Sequence, residues 1–188
     1  MNYRAAVTAD RLREVLDYDP LTGIFRWRIR PANRMRIGQI AGGGHVKGYR
    51  RIRVDGLLYL AHRLAWLFVH GDFPILDIDH IDRNRDNNAI ENLRVATTSL
   101  NCANSRHRRN NTSGFKGVEW RKAKQKWHAG IMVDGRRLHL GTFDTPEAAH
   151  AAYMAAAVKH FGEFACDGVA QLLGTDAPDS DVGETRNG

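Results

Sequence analysis

The sequence predicts an α+β protein in which a strand–loop–strand–helix unit precedes a small three-stranded antiparallel sheet packed on one helix. Three observations predict it. Residues 77–80 alternate acidic and apolar side chains, a loop rich in Asn, Asp and Arg follows, and Leu93 to Ala96 is a second short apolar run. Period-two alternation reads as strand and polar clusters read as loop. Thr97, Thr98 and Ser99 are then candidate N-caps for a helix reaching Ser105. Further on, two alternating runs joined by Asp134-Gly135 lead into Thr145-Pro146-Glu147, an alanine-rich stretch from Ala148 to His160, and Gly162. That order is a hairpin turn, a capped helix start with proline in the first turn, and a stop.

The N-terminal elements follow from similar signals. Thr8 can cap a short helix with Leu12, Val15 and Leu16 on one face. Asp19 to Gly23 is a turn, Ile24 to Trp27 a strand, and Arg28 to Arg36 a basic loop. Gly42-Gly43-Gly44 is a connector; no Gly-Lys-Ser/Thr follows, which excludes a phosphate-binding P-loop. Tyr49 to Val54 and Leu57 to Ala61 alternate on either side of Asp55-Gly56, a hairpin signal. His62 to Val69 has a helical apolar pattern that ends near His70-Gly71, and Pro74 breaks the chain before residue 77. His62 is in a position to approach the Asp-His strand, but as a histidine at a helix start it is expected to make local hydrogen bonds and is left out of the catalytic set.

Composition narrows the partners. The net charge is +7, while Asp176, Asp179, Asp181 and Glu184 face a single Arg186 at the end of the chain. The body is therefore more basic than the total, which points to an anionic partner, nucleic acid first. The two cysteines, Cys102 and Cys166, are far apart and form no ligand pattern, which excludes a disulfide framework and a Cys-rich zinc site. No signal-peptide core and no membrane-length apolar run is present, so an intracellular protein is expected.

The ordered set Asp79-His80, Asn87-Asn88, Glu91-Asn92-Leu93 and Asn101 carries the chemistry. From Tyr49 to Arg106 the chain resembles HNH endonucleases of the ββα-metal type, in the phage and mobile-intron branch where the last histidine is an asparagine. The resemblance implies a metal-dependent, homing-type DNA endonuclease that leaves a 5′ phosphate and a 3′ hydroxyl. A neutral imidazole with a pKa near about 6.5 can take a proton from water, which suits His80 as general base. Asp79 and Asn101 are hard oxygen donors that suit Mg²⁺, with Mn²⁺ accepted and no zinc. Asn104, almost one helical turn beyond Asn101, is the alternative ligand. Asn92, by the resemblance, stays off the metal and braces the loop that aims His80. Asn87 and Asn88 are expected to shape the loop.

The C-terminal signature is Phe115-Lys116-Gly117-Val118, Lys126-Trp127 and Leu140 to Ala149. Over Gly114 to Ala165 it resembles the APETALA2/ethylene-response DNA-binding domain, whose sheet docks in the DNA major groove. The resemblance places Lys116, Arg121, Arg137 and His139 on the DNA-facing side. Gly130 and Met132 stand where the plant domains carry Glu and Arg, so the plant sequence preference does not carry over. Trp127 is expected in the core. Arg106, Arg108 and Arg109 lie in a polar basic stretch and are read as a strap along DNA phosphates.

The expected division is a nuclease domain with a β-rich N-terminal extension at 1–104, a basic linker at 105–113, an APETALA2-like domain at 114–166 and an acidic, disordered tail at 167–188. The expected partner is double-stranded DNA, the expected state a monomer, and the expected place the cytoplasm of a bacterial or phage-infected cell. A DNA-binding regulator with a degenerate nuclease domain is the alternative function. An RNA-binding protein fits the charge but not the Asp79, His80, Asn92 and Asn101 set.

Overall fold

The computed structural model describes residues 6–44, 46–105 and 111–168. Helix α1 (Ala9–Val15) is capped by the Thr8 hydroxyl, which accepts from the Arg11 amide at 3.2 Å. The chain then enters β1 (Leu16–Asp19), antiparallel to β2 (Ile24–Trp27). The helical spacing expected to include Leu16 ends one residue earlier. Leu16 is buried as the first residue of a strand, and Tyr18 follows it inward at the strand period of two. The Asp19 carboxylate ties the turn by accepting from the Leu21 amide and the Thr22 hydroxyl.

Strands β3 (Arg51–Val54) and β4 (Leu57–Leu60) form a second hairpin, and α2 (Ala61–His70) follows directly. Gly71, in the left-handed region at φ 89°, ends α2. Leu12, Leu16, Phe25, Ile52 and Leu64 meet in one core from these elements. That core also takes Ile78 of β5 (Asp77–His80) and Leu93 of β6 (Leu93–Ala96). β5 and β6 are antiparallel with Asp79 opposite Arg94 and His80 opposite Leu93. Helix α3 (Thr98–Ala103) is capped by Thr97, whose hydroxyl accepts from the Leu100 amide.

The C-terminal unit is a meander of β7 (Val118–Arg121), β8 (Lys126–Val133) and β9 (Arg136–Phe143), backed by α4 (Pro146–Phe161). Val118, Ala129 and Ala149 pack together, so the alanines bring the helix close to the sheet. Gly117 shows how close: at φ 74°, a Cβ there would stand 2.1 Å from the Tyr153 ring. β9 continues past Leu140, because the register shift at Ala129/Gly130 absorbs one residue.

The two units are not merely tethered. Ala96 and Ala103 of the first share a buried cluster with Ile131, Tyr153, Ala157, Phe161 and Phe164 of the second. Residues 106–110, which hold Arg106, Arg108 and Arg109, and the acidic tail from 169 onward lie outside the described residues.

Gly23 marks where the N-terminal hairpin meets the loop after β5. It sits at φ 71°, and a Cβ would stand 2.2 Å from the Asn88 carbonyl carbon. Backbone cannot move aside as a flexible side chain can, and a non-glycine residue is strained there. Gly23→Ala is expected to lower unfolding free energy by about 1–3 kcal/mol, measured as a shifted urea midpoint at unchanged slope.

Candidate active site

Asp79 and His80 are adjacent on β5 and exposed by only 5% and 4%. A buried carboxylate is tolerable only when paired and hydrogen-bonded. Asp79 is both. Arg94 donates from Nε to its Oδ2 at 3.0 Å, and Asn104, at the C-cap of α3, donates from Nδ2 at 2.9 Å. The Asn104 amide also donates to the His80 carbonyl at 2.8 Å. Antiparallel register supplies Arg94, and the end of α3 supplies Asn104.

Of the two asparagines that could share an ion with Asp79, Asn104 is the one that hydrogen-bonds to it. The two are three residues apart on one helix face, and the helix ends at Ala103, which leaves Asn104 beneath β5. Asn101 is half-buried, and its side chain makes no hydrogen bond among the described residues.

His80 faces different neighbours. Its Nε2 lies 3.3 Å from Asn88 Oδ1. The Asn88 amide nitrogen donates to the Asp86 carbonyl at 3.0 Å, which turns the oxygen toward His80. The proton of a neutral His80 therefore belongs on Nε2, and Nδ1 keeps a lone pair. Burial pushes the His80 pKa below its ordinary value, against the opposing pull of Asn88, Asp82 and Asp79. Asn88, expected only to shape the loop, is 1% exposed and is a direct partner of the imidazole.

Two more rings close the pocket. His62 packs edge-on to His80 with centroids 5.0 Å apart, and Tyr49 lies 5.1 Å from His62 and 5.9 Å from His80. The Arg85 guanidinium stands 4.8 Å over the Tyr49 ring. His62 is 5% exposed, its Nδ1 has no partner among the described residues, and burial, then the nearby His80 and Arg63, lower its pKa to about 3.

Asn92 ties the loop to the end of β5. Its Oδ1 accepts from the Asp82 amide at 3.0 Å, and its Nδ2 donates to Asp82 Oδ1 at 2.9 Å and to the Asn87 carbonyl at 2.8 Å. Asn87 closes the ring by donating to Asp82 Oδ2 at 2.6 Å. From outside, the Tyr18 hydroxyl donates to the Asn88 carbonyl at 2.8 Å and the Ile90 amide to the Pro20 carbonyl at 2.9 Å.

On the C-terminal sheet, Arg121, Arg137 and His139 fall on the face away from α4. Arg121 and Arg137 converge on the Glu119 carboxylate at 2.5 and 2.8 Å, and His139 stacks on His128 with centroids 4.5 Å apart. Lys116 is a correction. Its ammonium does not join that face but donates to the carbonyls of Ala103 and Ser105 at the end of α3. Those carbonyls have no helical partner and draw a cation to the negative end of the helix. Burial there lowers the Lys116 pKa. Arg94 is not singled out by the sequence, because it acts through a cross-strand contact; Asn88 reads there only as loop-shaping, and His62 stays out of the catalytic set.

A strand pair carrying a buried Asp-His step and closed by a helix is joined here to a three-stranded sheet on one helix, two units with separate signatures. The chain belongs to the HNH endonuclease family: the HNH endonuclease model matches residues 59–102, and the AP2 domain model matches residues 113–163. It is a DNA endonuclease, a hydrolase of phosphodiester bonds. It is 33% identical over 105 residues to protein 3.8 of Escherichia phage T7, covering 55% of this chain and 86% of that one. It is 33% identical over 106 residues to an uncharacterized HNH endonuclease, L560, of Acanthamoeba polyphaga mimivirus, covering 55% and 54%. The solved structure of the HNH homing endonuclease I-HmuI is similar at a TM-score of 0.38 and 23% identity, covering 73% of this chain and 76% of that one, too loose a likeness to add weight.

His62 makes stability depend on pH. Its folded pKa, about 3, lies below the unfolded value, so the unfolded chain binds the proton first as pH falls. Stability should therefore drop as pH falls below about 6.5, by up to about 1.4 kcal/mol per unit from this group. His62→Phe is expected to flatten that slope, read from urea midpoints between pH 7 and 4.5.

Proposed function

We propose that the chain is a metal-dependent DNA endonuclease of phage or mobile-element type, with His80 as general base and the AP2-like unit holding the duplex. The observation that carries this reading is the buried His80, kept neutral by its surroundings and oriented through Nε2 by Asn88, next to the buried Asp79 carboxylate. With its proton on Nε2, Nδ1 is the nitrogen available to accept a proton from water. A pKa below the ordinary value keeps the base form populated at neutral pH.

The donor set fits a hard divalent ion. Asp79 supplies a carboxylate, at present paired with Arg94, and Asn101 supplies a half-buried amide on the helix after β6, both hard oxygen donors. Asn104 commits its amide hydrogens to Asp79 and the His80 carbonyl, which makes it a brace for the carboxylate. Asn92 braces the loop through Asp82. When bound, Mg²⁺ supplies Lewis-acid stabilisation of charge on the phosphate and the leaving oxygen. The exposed sheet face with Arg121, Arg137 and His139 supports DNA contact, and Arg106, Arg108 and Arg109 add basic residues to the sequence between the two units. The domain division at 104, 114 and 166 belongs to this reading, as does a monomer that cuts one strand per visit.

His80→Ala is expected to slow nicking of supercoiled plasmid roughly 100- to 10,000-fold, while duplex affinity stays within a factor of two or so of the parent in gel shift. Parent activity should vanish with a chelator and return with Mg²⁺ or Mn²⁺. A His80→Ala chain that cuts at the parent rate defeats the assignment of the base.

Arg137→Gln, made in the His80→Ala chain, tests the sheet face. If Arg137 meets one phosphate, affinity falls for every sequence tried, and the slope of log K against log salt shrinks by roughly 0.9. Fluorescence anisotropy across a salt series measures both.

A further inference from the structure

The Asp79 carboxylate already has a cation. Arg94 lies opposite it across the β5–β6 pair, with Nε and Nη2 each 3.0 Å from Oδ2. Both side chains are shielded from solvent, at 12% and 5% exposure. The hairpin alone does not fix this guanidinium. Its Nη1 donates to the Glu163 carbonyl at 3.2 Å, and its Cζ stands 3.5 Å over the Phe164 ring. Glu163 and Phe164 form the short 3-10 turn directly after α4, in the C-terminal unit. Two residues on, Cys166 accepts a contact from Arg83, in the loop after His80, at 2.9 Å. The segment after α4 therefore straps both sides of the Asp-His step.

We infer that Arg94 occupies the Asp79 carboxylate in place of a divalent ion, and that the Glu163–Phe164 turn holds it there, so that the C-terminal unit governs ion loading at the nuclease site. The inference rests on Asp79 being an ion ligand. The oxygen that Arg94 holds with two nitrogens cannot also bind a hard cation at full strength. Asn104 donates to the other oxygen, Oδ1, at 3.1 Å, so an ion that takes Oδ2 must displace the guanidinium, and each anchor on Arg94 opposes that displacement. A cation over an aromatic face and a hydrogen bond to a carbonyl are both favourable where water is excluded. Loss of the Glu163 and Phe164 contacts frees Arg94 and opens that oxygen.

The test is Mn²⁺ affinity of the full chain without DNA, from the free-ion electron paramagnetic resonance signal. Arg94→Gln should bind Mn²⁺ about tenfold more tightly, one charge-assisted pair having been removed from the competing state. Phe164→Leu keeps apolar bulk but removes the ring face, and should tighten binding several-fold. Structural damage would loosen binding, so the sign separates a gate from a scaffold. If Asp79→Asn binds Mn²⁺ like the parent, the ligand role of Asp79 fails and takes the gate with it. If Asp79→Asn loses the ion but Arg94→Gln binds no better than the parent, only the gate is overturned. Should Arg94→Gln fail to fold by circular dichroism, unchanged affinity in Phe164→Leu overturns it.

Discussion

An ionised carboxylate at 5% exposure has to be met by positive charge and N–H donors, and the surroundings of Asp79 are arranged by that demand. Antiparallel register puts Arg94 opposite it. The end of α3 puts Asn104 beneath it, and the same amide reaches the His80 carbonyl, so the carboxylate and the strand that carries it are fixed together. Arg94 in turn needs a place for the rest of its guanidinium, and finds it on Glu163 and Phe164. One buried charge thus links β5, β6, α3 and the segment after α4.

The imidazole next to it depends on a different set of contacts. His80 takes its orientation from Asn88, and Asn88 keeps its place because the loop is held at both ends. Inside, Asn92 and Asn87 close on Asp82. Outside, Tyr18 and Pro20 of the N-terminal hairpin bond to the Asn88 and Ile90 backbone, with Gly23 pressed against it. The hairpin that precedes the nuclease motif is therefore a buttress for the loop, and its glycine is required by close approach as much as by φ.

The element plan of both units was legible because it rests on local signals. Thr97 and Thr145 cap the helices that their positions suggest, and Asp55-Gly56 and Asp134-Gly135 turn the hairpins. Leu16 was misread because an inward residue at the end of a helix and one at the start of a strand carry the same hydropathy. Within the site, Asp79, His80 and Asn92 are named through the resemblance their order carries, and Asn101 and Asn104 stay alternatives because they share one helix face. The contacts of Arg94, Asn88 and His62 could not be read, since a cross-strand ion pair, a hydrogen bond over a loop and an edge-on ring contact leave no period in the chain. Lys116 was misplaced for a similar reason: a lysine in a DNA-binding signature looks like a phosphate contact until a helix end is seen beside it.

That lysine also bears on how the two units cooperate. A flexible tether would raise the local concentration of DNA near His80 without fixing its direction. Here Lys116 caps α3, Ala96 and Ala103 share a buried cluster with Tyr153 and Phe161, and Arg83 and Arg94 grip the segment after α4. On the proposed function, a duplex held by the sheet would meet His80 in a set orientation, which lowers a barrier more than proximity alone does. The same contacts leave the C-terminal unit unable to shift without disturbing Arg94. The surfaces that orient the two units are the ones that surround Asp79, so on the proposed function holding and cutting share one set of contacts.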